Sequence, residues 1–500
     1  MAIPKSELPV LIGVSLFSFM GYMDATIVPT ALPAIQVSLH MGVVMIQWVL
    51  NAFYLPLSMM VLSISSLLKC VGRRVIFLAV LVYALASIGA GLSLSSDWLI
   101  GFRIIQGFSS AVILPSTAIY VTTHFTGGNK YTAMCIFSII SGLGLVIGPV
   151  LGSVIIQELS WPWVFFSNVP LIIIGVSLCF FNLRETKTTS YVTLDFSGMT
   201  LISLTVFSLV LGLVESSSFG WNSHFVVVCF CTSAIALMAF VIVERHAQTP
   251  IIELKIFRNA TVIAILMLAF LGGGATAVFM FFNPLYLHGV LSFSYYKMGG
   301  LLLIIPVAEL WLLLICSQWI HTKITLKMLL VICALLYVCA TVLQLYFTVK
   351  PNYFIISLAY TCFGAAWGIL SSTKLMMMRN REMLNDMEVS IGTLYGIYYI
   401  GATVMLAACI GIFHGVTAEA FYSVLPVAQT DTQHTLITGF ISQPSYLQDA
   451  LNHIDTIYQH SAFVFKNVFM HGMMVMLWPF LILSSFLFML ITLIVKGKKT

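Results

Sequence analysis

Apolar segments of about twenty residues recur along this chain, separated by short polar breaks. A helix of that length crosses the roughly 30 Å hydrocarbon core of a bilayer and satisfies its own backbone hydrogen bonds. The composition agrees, since 60% of the 500 residues are hydrophobic, 8% are charged and the mean hydropathy is +1.04. Because no water-soluble fold buries so much apolar surface, the sequence predicts an all-α polytopic membrane protein.

The apolar segments divide into fourteen predicted transmembrane helices. Their expected limits are 8–32, 45–67, 75–95, 98–122, 132–157, 162–183, 196–215, 224–243, 261–287, 298–319, 328–347, 352–374, 389–413 and 468–495. An even number of spans places both termini on the same side of the membrane.

The distribution of basic residues predicts which side that is. With the N-terminus inside, 18 of the 22 Lys and Arg residues fall in cytoplasmic segments. Cytoplasmic loops are enriched in these residues. We therefore expect a protein of the cell inner membrane with both termini in the cytoplasm. The net charge of +5 reflects this topology and not nucleic-acid binding, because the basic residues form no compact patch.

Two long polar segments suggest how the spans are grouped. The segment 184–195 follows the sixth span, and the segment 414–467 is predicted to be a long outer loop before the last span. We predict a six-helix bundle over 1–183, a cytoplasmic link with two inserted spans over 184–260, and a second six-helix bundle over 261–500.

Three charged residues lie away from the ends of the predicted spans, where each costs at least about 2.5–3.5 kcal/mol on insertion scales and so is a candidate for function. Asp24 lies in the middle of the first span and could bind and release a proton. Arg103 could pair with Asp24, bind backbone carbonyls or extend to the outer interface. Glu309, three residues after Pro306, could bind a substrate or proton in the second half, or brace it.

A glycine stripe marks the fifth span. Gly144, Gly148 and Gly152 recur every fourth residue, with Pro149 beside the middle one. Small residues at this spacing permit close helix packing, and proline bends a helix. The pattern suits a hinge or gating seam, although static packing would need the same residues.

Several segments, in chain order, together resemble the motifs of one family. They are MDATIVPTALP at 23–33, Arg103 with Gln106 and Gly107, the glycine stripe with Pro149, WPWVFFSNVP at 161–170, and PLYLHGVLSFSYYKMGGLLLIIP at 284–306. The sequence resembles the major facilitator superfamily and, within it, the fourteen-span drug:proton antiporters of the EmrB/QacA type. The resemblance implies the major facilitator fold, with two six-helix bundles and two inserted spans. It also implies proton coupling or substrate binding by Asp24 and Arg103.

The loop after the second span departs from the family pattern. Gly72, Arg73 and Arg74 are kept, but Lys69 stands where the family has an aspartate. That aspartate belongs to a charge network that closes the cytoplasmic side, so the resemblance implies a weaker or rebuilt latch here.

The function predicted from these features is proton-coupled export of a small lipophilic or amphipathic solute, with the proton gradient as energy source and no bound cofactor. Metabolite uptake, siderophore-type export and a non-transporting receptor or assembly subunit are the alternatives. An enzyme is disfavoured, since no nucleotide-binding loop, metal-ligand cluster or nucleophile motif is present in the sequence. Beyond the substrate and the bilayer, a periplasmic adaptor and an outer-membrane channel are candidate partners, with 414–467 as the expected contact.

Overall fold

The computed structural model describes residues 3–4, 6–61, 74–125, 128–180, 195–247, 250–252, 257, 259–319, 326–379, 387–424 and 457–494. The described residues fold into helices and contain no β-strand. The main helices are α1 (Leu8–Ser38), α2 (Trp48–Val61), α3 (Arg74–Gly91), α4 (Ser96–His124), α5 (Gly128–Glu158), α6 (Asn168–Phe180), α7 (Phe196–Phe219), α8 (His224–His246), α9 (Ala260–Pro284), α10 (Ile304–Trp319), α11 (Leu326–Leu345), α12 (Tyr353–Arg379), α13 (Met387–Val424) and α14 (Ile457–Ile494).

Short helices accompany several of these. Pro162–Phe166 precedes α6, a π-helical segment Leu285–Val290 continues α9, and Tyr295–Leu302 precedes α10. Each predicted span therefore has a helical counterpart. Within the described residues, twelve helices are long and apolar enough to cross a membrane, and the apolar helices Trp48–Val61 and Val75–Gly91 are shorter.

Helices extend into both ends of the predicted outer loop at 414–467. Helix α13 continues to Val424 and α14 already begins at Ile457. Hydropathy follows only the part of a helix that lies in hydrocarbon, whereas a helix of 38 residues is longer than the membrane core. The part of the predicted loop between these helices, 425–456, lies outside the described residues.

The same helix pairing occurs twice along the chain. In the first half α1 packs on α5, α2 on α4, and α3 on α4 and α6. In the second half α9 packs on α13, α10 on α12, and α11 on α12 and α14. Helices α1 to α6 thus have neighbours equivalent to those of α9 to α14, taken in the same order. This is the pattern of an internal structural repeat.

The two halves meet along two seams. On one side α2 packs on α13, and on the other α5 packs on Tyr295–Leu302 and α10. Helices α7 and α8 pack on each other, and α7 also contacts α13 and α2. The outer surface of α8 is apolar, with Val228, Ile235 and Met238 each more than 60% exposed. Such a surface is stable against lipid chains and not against water.

Candidate functional site

A buried ion pair lies inside the first half. The Arg103 guanidinium donates to Asp24 Oδ2 at 2.7 Å, and both side chains are at most 1% exposed. Arg103 comes from α4 and Asp24 from α1, so the pair joins two helices. The alternative that Arg103 extends to the outer interface is excluded by this burial.

Arg103 makes further contacts that fix its position. Its Nε donates to the Val49 carbonyl at 2.9 Å, and its Nη1 donates to Gln106 Oε1 at 2.9 Å. The Phe53 ring lies 4.4 Å from the guanidinium carbon. Gln106 in turn donates to Ser87 Oγ on α3 at 2.8 Å. A buried guanidinium is stable only when its donors are satisfied in this way. Arg103 is held directly by α1 and α2, and through Gln106 it is connected to α3.

Gly107 explains how α2 and α4 approach closely enough for these bonds. A Cβ at this position would collide with the Phe53 carbonyl of α2. Because Gly107 lies one turn after Arg103, it brings the Val49 carbonyl within reach of the guanidinium. Gly107 is therefore required for the packing of α4 on α2, and this packing allows Arg103 to bond to the Val49 carbonyl.

A separate cavity of about 130 Å³ lies between the two halves. It is lined by residues of α1, α2, α4 and α5 from the first half and of α9, α10, α12 and α13 from the second. Aromatic side chains dominate the wall, among them Tyr22, Tyr54, Phe137, Trp367 and Tyr399. A concave, mostly apolar site with a few polar groups is the usual form of a small-molecule site.

Glu309 carries the charge in this cavity. Among the described lining residues it is the only one of the types Asp, Glu, Lys, Arg or His. It is 5% exposed, and its Oε1 accepts a hydrogen bond from Ser371 Oγ on α12 at 3.2 Å. A Cβ at Gly368 would collide with the Glu309 carbonyl, so this glycine allows α12 to lie directly against α10.

A layer of tyrosines surrounds Glu309 and crosses the seam. The hydroxyls of Tyr22 in α1 and Tyr395 in α13 are 3.0 Å apart and share a hydrogen bond between the halves. Tyr54 in α2 stacks on Tyr399 in α13, with ring centroids 6.1 Å apart. Tyr398 donates to Thr276 Oγ1 at 2.9 Å. These side chains supply hydroxyl groups and aromatic faces toward the same space as the carboxylate.

The predicted site residues are therefore not assembled in one place. Asp24 and Arg103 are paired within the first half and do not belong to the described cavity wall, whereas Glu309 does. The tyrosines were not predicted from the sequence. A signal for them exists in YGIYYIG at 395–401, where Tyr395, Tyr398 and Tyr399 share one helix face.

The glycine stripe of α5 faces α1. Added Cβ atoms at Gly144, Gly148 and Gly152 would collide with Phe19, Thr26 and Thr30 of α1, respectively. These glycines thus allow close packing within the first half. The hinge or gating role assigned to them from the sequence stays a prediction.

Beyond the stripe, the end of α5 contacts the second half. A Cβ at Gly299 would collide with Ser153 and would lie 2.8 Å from the Pro149 carbonyl. The Tyr296 hydroxyl donates a hydrogen bond to Glu158. The two halves therefore touch closely at the end of the molecule where α5 ends and α10 begins.

The loop motif predicted after the second span cannot be placed, because Lys69, Gly72 and Arg73 and the side chain of Arg74 lie outside the described residues.

Comparison with known proteins identifies similar chains. Residues 14–407 match the profile described as Major Facilitator Superfamily. Multidrug transporter protein MdtP of Bacillus subtilis (strain 168) is 28% identical over 317 residues, covering 63% of this chain and 58% of the relative. The Tetracenomycin C resistance and export protein of Streptomyces glaucescens is 31% identical over 302 residues, covering 58% of this chain and 54% of the relative. Probable multidrug resistance protein EmrY of Escherichia coli (strain K12) is 30% identical over 253 residues, covering 50% and 49%.

In each case the chain spans less than two thirds of the curated relative it matches. Solved structures are similar over a larger part of the chain. A bacterial homologue of the human lysosomal transporter Spinster covers 99% of this chain and 98% of its own, with a TM-score of 0.64 and 14% identity. A D-xylose–proton symporter covers 95% and 97%, with a TM-score of 0.57 and 12% identity. At such low identity the similarity establishes the fold.

Proposed function

Because this chain belongs to the major facilitator superfamily, we propose that it is a proton-coupled secondary transporter that exports small lipophilic or amphipathic solutes by alternating access. Membership of the superfamily makes it a transporter and not an enzyme. The observation that carries the proposal is the cavity between the halves, whose wall combines aromatic side chains with the Glu309 carboxylate. The names of the relatives, which include multidrug and export proteins, support export.

The cavity wall favours a lipophilic cation as the substrate. Aromatic faces attract a cation through the ring quadrupole, and the attraction strengthens when water is excluded. Glu309 supplies a carboxylate to the same wall, and this group is negatively charged when ionised. Proton binding to Glu309 would remove that charge and weaken the hold on the cation. Competition between proton and substrate for one carboxylate is sufficient to couple their opposite movements.

Asp24 has a different place in this scheme. Its carboxylate is neutralised by Arg103, so protonation of Asp24 would release the guanidinium from α1. The ion pair therefore links the charge of Asp24 to the packing of α1 on α4. We propose that Glu309 binds the substrate and that the Asp24–Arg103 pair changes with the conformation of the first half.

The membrane arrangement completes the proposal. We infer fourteen spans in the inner membrane, with both termini in the cytoplasm and the bundles at 1–183 and 261–500 moving against each other. In this orientation the close contact of Glu158 with Tyr296 lies at the outer side. We infer that this conformation is closed on that side. A periplasmic adaptor and an outer-membrane channel are partners to test in the same host.

Accumulation of a fluorescent lipophilic cation in an efflux-deficient host tests the proposal. Wild-type cells should accumulate less dye than cells with Glu309→Gln, and a protonophore should abolish the difference. Glu215→Gln is the matched control, because Glu215 is a half-buried carboxylate of α7 outside the described cavity wall. Equal accumulation in wild type and Glu309→Gln, with both proteins present in the membrane, would overturn the role of Glu309. Higher accumulation in wild type would indicate uptake.

A further inference from the structure

A pair of carboxylates lies outside the described cavity wall, at the start of the inserted helix α7 and the end of α8. Asp195 precedes α7 and caps it, because its Oδ1 accepts from the Gly198 amide at 2.8 Å. Glu244 lies in the last turn of α8 and is 3% exposed. Its Oε1 accepts from the Ile252 amide at 2.6 Å, which holds the segment after α8 against the helix. Each carboxyl group thus uses one oxygen to fix a backbone turn.

Both carboxyl groups border the same turn, since Glu244 accepts from the Ile252 amide and a Cβ at Gly198 would meet both Asp195 Oδ2 and the Ile251 side chain. Asp195 Oδ2 and Glu244 Oε2 are both buried, and neither accepts a hydrogen bond from an N–H or O–H donor of the described residues. The two side chains also interact with each other at this turn. Ionised carboxylates contain acceptors and no donor, so two of them cannot form a hydrogen bond together. Two negative charges in such contact would also repel strongly in a buried setting.

The surroundings offer no described positive charge to offset this repulsion. The packing around the pair is apolar, with Ile202 of α7, Phe240 of α8, and Ile251 and Ile252 of the following segment forming one cluster. Ile400 of α13 packs against that cluster.

The nearest basic side chains in the sequence point elsewhere or are not described. Arg245 and His246 follow Glu244 but are exposed, and His246 Nδ1 bonds to the Ile242 carbonyl. Lys255 and Arg258 lie outside the described residues.

We propose that Asp195 and Glu244 form a proton-binding site, in which a single proton is shared between Asp195 Oδ2 and Glu244 Oε2. The proton joins the start of α7 to the end of α8 and the segment that follows it. Because α7 packs on both α2 and α13, the site is connected to one seam between the halves. The inference does not depend on the proposed substrate or on Glu309.

Amide substitutions test the site while preserving its hydrogen bonds. In Glu244→Gln the amide oxygen can still accept from Ile252, and its NH₂ can donate to Asp195 without a proton being bound. Asp195→Asn does the same from the other side. The folded pair holds a proton that separated carboxyl groups release at neutral pH, so raising the pH should destabilise the wild type by leaving two facing charges.

The measurement is the Tm of the purified full-length protein in lipid nanodiscs between about pH 6 and about pH 9. We expect a fall of several degrees in the wild type and in the control Glu215→Gln, and a clearly smaller fall in Glu244→Gln and Asp195→Asn. Infrared difference spectra over the same range should contain a C=O band of a protonated carboxylic acid that both amide variants lose. The proposal fails if the variants keep the wild-type pH dependence and band. It also fails if Na⁺ or Ca²⁺ at constant pH, and not the proton, changes the Tm.

Discussion

The two halves of the molecule have the same helix pairing but different buried polar groups. In the first half, Asp24 and Arg103 form an ion pair between α1 and α4. In the second half, Asn283 of α9 accepts hydrogen bonds from Tyr360 of α12 at 2.8 Å and from Gln344 of α11 at 3.3 Å. The first cluster is charged and the second is neutral, although equivalent helices build them.

The charge of the second half has a different location. Glu309 lies on the cavity wall and accepts a hydrogen bond from Ser371. The comparison indicates a division of roles. The first half holds its carboxylate inside the bundle, where it stabilises one arrangement of helices, and the second half presents its carboxylate to the space where a solute would bind.

The largest effect is expected from Arg103→Ala. Removing the guanidinium leaves Asp24 buried without its partner, which costs about 3–5 kcal/mol when one member of a buried pair is lost. Thermal unfolding in detergent should show a large loss of stability, and the double variant Arg103→Ala with Asp24→Asn should recover part of it. Equal stability of Arg103→Ala and wild type would show that the pair does not stabilise the first half.

A smaller loss is expected from Asn283→Ala in the second half. The change leaves the Tyr360 hydroxyl and the Gln344 amide without their buried acceptor, at about 1–3 kcal/mol for an unsatisfied group. No charge is left unpaired, so the loss should be less than that of Arg103→Ala under the same conditions. If Asn283→Ala lowers the free energy of unfolding more than Arg103→Ala does, the difference in charge between the two clusters does not determine their contributions to stability.

Tyr22→Phe tests the contact between the halves. It removes the hydroxyl that shares a hydrogen bond with Tyr395, and a typical hydrogen bond contributes about 1 kcal/mol. We expect Tyr395→Phe to cause the same loss of Tm and the double variant to cause no more than either single one. Additive losses would show that the two hydroxyls act separately.

The smallest effect on stability is expected from Glu309→Gln. The glutamine oxygen can still accept from Ser371, so the free energy of unfolding should change by less than about 1 kcal/mol. Binding of a lipophilic cation, measured by fluorescence polarisation on the same sample, should weaken at least about tenfold if the carboxylate contributes an ordinary charge–ligand interaction. Unchanged binding together with unchanged stability would remove Glu309 from the site.

Much of the fold followed from the sequence because hydrophobicity and backbone hydrogen bonding act locally. All fourteen predicted spans correspond to helices, and Asp24 and Glu309 are buried as their depth in apolar segments predicts. Helices α13 and α14 extend into the segment predicted as an outer loop, because hydropathy does not detect where a helix ends beyond its apolar part.

The assembly of the site did not follow in the same way. Asp24 and Glu309 look alike in the sequence, as single acids within apolar helices. Which one reaches the cavity depends on how each helix is rotated about its axis, and neighbouring helices determine that rotation. Gly107 allows α4 to pack closely on α2, so Arg103 contacts α2. Gly368 allows α12 to pack closely on α10, so Glu309 contacts α12.

By itself the sequence determined that this protein spans a membrane with helices, where those helices lie along the chain, and which few charges they bury. Each of these depends on the free energy of moving residues between water and hydrocarbon, which is summed over neighbours in the chain. Only the tertiary structure decided that Arg103 pairs with Asp24 and that Tyr22 and Tyr395, 373 positions apart, meet across the seam. It also decided that Glu309 lies on the cavity wall. Those outcomes depend on contacts between distant helices, and such contacts exist only after the bundles have packed.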